Sequence, residues 1–169
     1  MYYFIIIPRK IVYLEHTNFN TMPSIYTKSD NDAMIARIQK LQPNSEALWG
    51  QMNSVQMMKH ANEAIIIAFG ENNITVNLMM RILGRLIKNK VFNSPEFQKN
   101  SPTAKEFIFE GDYDFESTRQ ELIRNYSRFA TGPQSITIHK HPFWGKLSSE
   151  DWDKLMWKHV DHHLRQFGV

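Results

Sequence analysis

An all-α domain is the fold class this sequence predicts, most simply a four-helix bundle with one extra short helical element or a long connection. Three observations predict it. Apolar residues recur at helical spacing in successive stretches. Those stretches open on capping residues and close on glycine or proline. No internal repeat or low-complexity tract interrupts them.

The first helix is predicted over Asp30 to Leu41, with Ala33, Met34, Ile38 and Leu41 as its apolar stripe and Pro43 as its stop. Asn53 with Gln56 reads as a capping box that opens a second helix running to about Phe69, ended by Gly70. A third, shorter helix is expected from Leu78 to Ile87, with Arg81, Arg85 and Lys88 outward; Gly84 inside it weakens the helical signal. Phe92 to Gly111 reads as a long connection. Asp114 to Phe129 is the fourth helix, striped by Phe115, Leu122, Tyr126 and Phe129. Ser135 to Trp144 is irregular or briefly extended. Ser148 then caps the last helix, with Asp151 at its third position.

The N-terminus stands apart. Tyr2 to Ile7 and Ile11 to Leu14 are apolar, but Pro8-Arg9-Lys10 divides them. Neither run is long enough to cross a bilayer, and the pattern is not that of a signal peptide. Residues 1–22 are expected to be a peripheral extension, or the product of an upstream start with Met22 as the true one. The domain proper is expected over 23–169.

The 169 residues suffice for one domain with a core, and 42% apolar with 22% charged residues is ordinary for a globular protein. The net charge of +3 is a small excess. Its densest cluster, Arg81, Arg85, Lys88 and Lys90, reads as a solvated helix face rather than a nucleic-acid patch. No nucleic-acid or membrane partner is expected. The chain has no cysteine, which excludes disulfides, thiolate metal sites and cysteine nucleophiles. A cytoplasmic location is compatible with that.

The histidines carry the functional signal. His159 and His163 are four residues apart, so they share one helix face. The rest of that face is apolar, with Trp152, Leu155 and Met156. His60 lies on the second helix beside Met57, Ala64 and Ile67 and also points inward. A lone core histidine is ordinarily a hydrogen-bonding residue. Three on the buried faces of two helices favour a shared divalent metal.

The C-terminal stretch Lys158-His159-Val160-Asp161-His162-His163-Leu164-Arg165-Gln166-Phe167-Gly168, with a histidine midway along the second helix, resembles the DinB-like superfamily. The resemblance is closest to a branch of undefined function. His141-Pro142-Phe143-Trp144-Gly145, Pro102 through Phe107 and Gly111 through Phe115 look like that branch too. The resemblance implies a four-helix bundle that binds a divalent metal, commonly nickel or zinc, through His60, His159 and His163. Gln166 fits the glutamine that closes the family pattern.

His162 is roughly 60° around the helix from His159 and roughly 100° from His163, and is not expected to join the ion. Glu63 reads best as an acceptor for an imidazole N–H. His141, held extended by Pro142, is read as part of an aromatic plug more than a pocket rim. Asp161 is expected to face solvent or a dimer contact.

Three imidazoles leave a divalent ion an open position, from which it can activate water or hold a thiolate. The resemblance implies either a hydrolase-like or a low-molecular-weight-thiol transferase-like enzyme acting on a small molecule. The alternative is a metal-binding stress protein without turnover. Trp157, Val160 and Leu164 lie on a flank of the last helix away from the histidines, which suggests a homodimer.

Overall fold

The computed structural model describes residues 22–72 and 74–169. The expectation of an N-terminal extension falls almost wholly on residues outside that range.

Five α-helices dominate: α1 Lys28–Ile38, α2 Ser54–Ala68, α3 Leu78–Asn93, α4 Phe115–Ser127 and α5 Ser149–Gln166. Short 3-10 turns lie at Lys105–Phe107, Arg128–Thr131 and Pro133–Ser135. Two short antiparallel strands, β1 Lys140–His141 and β2 Gly145–Lys146, form a hairpin just before α5. The fold is all-α in substance.

α2 packs on α4 and α5, and α1 packs on α4 and α5. Their shared interior holds Met34, Ile38, Met57, Met58, Ile65, Leu122, Tyr126, Trp152, Met156, Val160 and Leu164. Burial of this apolar surface is what drives the four helices together. α3 stands to one side, against α5 and β2.

The two helices that bring histidines to the core start as their sequences dictate. The Asn53 side chain accepts from the Gln56 amide while the Gln56 side chain accepts from the Asn53 amide. Ser148 and Asp151 make the same reciprocal pair at the start of α5. Each box satisfies amide donors that the first helical turn leaves open.

Several boundaries differ from expectation. α1 ends at Ile38, and Leu41 reaches the core from the loop beyond it. α3 continues past Ile87 to Asn93. Its end is fixed from afar: the buried Lys158 ammonium donates to Phe92 O at 2.7 Å and Ser94 O at 2.5 Å. Gly84 does not mark weakness in α3. A Cβ there would lie 2.3 Å from Phe143 O, so the missing side chain is what lets the hairpin turn seat on α3.

Of the α3 cations, Arg85 and Lys90 are exposed, as a solvated face requires, and Arg81 is half-buried. Lys88 is drawn inward, donating to Asp151 Oδ2 and Lys146 O, both at 2.9 Å. Two residues of the α5 flank that suggested a homodimer are buried within the chain itself and the third is half-buried. Val160 and Leu164 are in the core, and Trp157 packs on it. Asp161 is half-buried and pairs with Arg37 at 2.7 Å.

Candidate metal centre

α2 and α5 deliver three imidazoles to one point. The ring centroids of His60, His159 and His163 are 5.0, 4.7 and 4.8 Å apart, a nearly equilateral triangle. One nitrogen from each ring lies within 4.8 Å of the other two. His60 Nε2 and His159 Nε2 are 3.1 Å apart. Ligands on a tetrahedral zinc at about 2.0–2.1 Å are separated by about 3.3 Å.

The protons on two rings are assigned by their partners. His60 Nδ1–H donates to Phe107 O at 3.1 Å. His163 Nδ1–H donates to Gln166 Oε1 at 3.0 Å. The Gln166 amide is itself oriented, because its Nε2 donates to Trp49 O at 2.6 Å. Carbonyl oxygens only accept, so both rings keep Nδ1 protonated and turn an Nε2 lone pair inward.

His159 is the unsatisfied member. Its Nδ1 is covered and has no hydrogen-bond partner among the described residues. With the proton on Nδ1, a buried N–H goes unpaired and two Nε2 lone pairs face each other. With the proton on Nε2, the His60 contact is satisfied but Nδ1 stays orphaned. Either state leaves a polar atom without a partner, at a cost of about 1–3 kcal/mol. A cation between the Nε2 atoms removes the lone-pair opposition, and the donor set of neutral imidazoles suits zinc or nickel.

Electrostatics keeps the rings neutral. Burial lowers the pKa of His60, against the pull of its bond to Phe107. Burial, then the neighbouring His163 and His60, holds His159 well below the usual histidine value. Burial pushes His163 down to about 3, with His60 adding to the effect. Neutral imidazole is the ligating form.

Aromatic side chains rim the cluster. Phe107 lies 5.6 Å from the His60 ring, and Phe97 lies 6.4 Å from His159. Trp49 sits 5.6 Å from His162 and carries the Lys99 ammonium 4.2 Å from its ring centroid. Phe97, Phe107 and Trp49 come from loops, where helical periodicity gives no signal. Only the Pro102 to Phe107 stretch stood out in sequence.

The other candidates lie elsewhere. His162 packs against Trp49 and Phe97 and is outside the three-nitrogen cluster. Glu63 is not the acceptor for an imidazole. Its carboxylate takes a hydrogen bond from Asn72, and Phe107 O fills the role at His60. His141 belongs to the hairpin. Its Nδ1 accepts from the Phe143 and Trp144 amides at 3.0 and 3.2 Å, and its ring packs on Trp152.

Fold and site together define a helical protein with a buried three-histidine cluster that can hold a metal ion. A family described as a protein of unknown function, DUF1569, matches residues 24–168, and the chain belongs to it. No curated protein and no solved structure matches the chain.

Proposed function

We propose that this chain is a DinB-like bundle in which His60, His159 and His163 hold a divalent ion, zinc or nickel, that acts on a small-molecule substrate. One observation carries the reading: one ring nitrogen from each of three neutral histidines converges within 4.8 Å, with the Nε2 atoms of His60 and His159 3.1 Å apart.

The protein's own groups prepare the site. Phe107 O and Gln166 Oε1 hold two imidazoles in the tautomer that aims Nε2 at the centre. Burial keeps all three rings unprotonated at neutral pH. Phe107 and Phe97 pack beside the His60 and His159 rings. A divalent ion held there supplies Lewis-acid chemistry, for hydrolysis or for transfer of a low-molecular-weight thiol.

A second reading, a metal-binding protein without turnover, draws on a different observation. His60 and His163 are both buried, which restricts a substrate's access to an ion held between them.

Elemental analysis of protein purified without a polyhistidine tag tests the metal. One equivalent of zinc or nickel, lost from His159→Ala, is the expected result. Ester, amide and electrophile substrates, each with and without added thiol, then test turnover. Metal present with no turnover on any of them selects the binding protein. No metal, even after reconstitution, overturns both readings.

A further inference from the structure

α3 turns five large apolar side chains to solvent. Leu78, Met79 and Leu86 are 67%, 79% and 76% exposed, and Ile82 and Leu83 lie beside them. These five residues line a shallow depression of about 590 Å³. Positions 78, 82 and 86 form one row along the helix and 79 and 83 the next, so the stripe is continuous. Away from the stripe α3 is already used: Gly84 meets Phe143, and Phe92 near the helix end is buried. A continuous exposed apolar stripe marks an interaction surface.

Its charge surroundings narrow the partner. α3 carries Arg81, Arg85, Lys88 and Lys90 and no acidic residue. On a helical projection Arg81 and Arg85 run along one margin of the stripe, and Lys90 lies beyond its end. The hairpin adds more positive charge. Lys140 and Lys146 are cross-strand partners, both exposed, and Gly145 abuts Arg85. Like charges placed opposite each other weaken a strand pair, so their placement gains the fold nothing. Of the α3 cations, Lys88 is paired, with Asp151.

A second copy fits this surface poorly. A two-fold interface would set the same cations against one another. An anionic lipid surface fits on both counts: leucine and methionine side chains enter the acyl boundary, and the arginines and lysines stay with the headgroups. The geometry is that of a helix lying in the interface. No described helix is long and apolar enough to cross a membrane. The absence of a spanning segment, which grounded the expectation of no membrane partner, does not bear on such a helix.

We propose that α3 seats this protein on anionic lipid surfaces through Leu78, Met79, Ile82, Leu83 and Leu86, flanked by Arg81 and Arg85. The test is co-sedimentation of the full chain with phosphatidylcholine vesicles, with and without phosphatidylserine, at low and high salt. Pelleting is expected only with phosphatidylserine and should weaken with salt. Leu86→Glu should abolish it. Arg81→Gln and Arg85→Gln should each lower partitioning about five-fold. These side chains are outside the core, and circular dichroism of each variant checks that helix content is kept. Failure of the full chain to pellet overturns the proposal. So does equal binding to both vesicle types, or wild-type binding by Leu86→Glu. A lipid-free dimer that Leu86→Glu dissociates would assign the stripe to a second copy instead.

Discussion

The His163 imidazole is oriented by Gln166, three residues on in the same helix, through a 3.0 Å bond from Nδ1–H to Oε1. The glutamine is in turn held by Trp49 O. A Cβ on Gly50 would stand 2.5 Å from Gln166 Nε2, and Gly50 has φ +81°. The Trp49–Gly50 turn therefore sets the ring through an intermediary. Gln166→Leu should weaken metal binding about 10–100-fold. Gly50→Ala should act in the same direction. Competitive titration with a chromophoric chelator measures both, and unchanged affinity in Gln166→Leu would show that the bond is incidental.

The three ligating positions should separate cleanly from their neighbour. His60→Ala, His159→Ala and His163→Ala should each lose nearly all bound metal. His162→Ala should keep full stoichiometry, because its ring faces Trp49 and Phe97. Elemental analysis of the four variants decides it, and metal loss in His162→Ala alone would move the site around the helix.

His141 should make stability fall in acid. Burial pushes its pKa down to about 4, against about 6.5 in the unfolded chain. Between those values the unfolded state binds the proton and the folded state does not. Stability attributable to the neutral ring is thus complete above about pH 6.5 and declines toward pH 4, by up to about 1.4 kcal/mol per pH unit. Asn in its place can accept the Phe143 and Trp144 amides without titrating. Urea unfolding of His141→Asn in chelator should show a shallower dependence over that window than the parent, and identical slopes would refute the assignment.

Gly84→Ala should destabilise the protein. In an exposed helix the same change is favourable by about 1 kcal/mol. Here the new methyl meets Phe143 O at 2.3 Å, and the hairpin must move. A loss of about 1–3 kcal/mol is expected, read from thermal or urea unfolding. A stability gain would mean that the hairpin does not rest on α3.

What could be read from sequence was what depends on near neighbours. The boxes at Asn53–Gln56 and Ser148–Asp151 are three-residue relationships, and both are present. The shared face of His159 and His163 follows from helical pitch alone. The end of α3 was not legible, because Lys158 fixes it from 66 residues away at Phe92. Nor was the reason for Gly84, which lies in a hairpin turn nearly sixty positions on. Glu63 illustrates the same limit from the other side. Its position one turn after His60 suggested a partner, but the hydrogen bond at His60 Nδ1 goes to the carbonyl of Phe107.

The stretch from Lys158 to Phe167 is engaged at almost every position. Lys158 ends α3, Asp161 pairs with Arg37, His162 packs on Trp49, Arg165 reaches Glu96, and Val160 and Leu164 are core. The two histidines between them look inward. Such a segment has little room to drift: a random-substitution library selected for folded, metal-loaded protein should come back nearly unchanged there outside His162 and the exposed Arg165. The outer stripe of α3 makes no comparable internal commitments, so the same selection should leave it free to vary. Whatever restraint natural relatives show at Leu78, Met79 and Leu86 would then have been imposed from outside the fold.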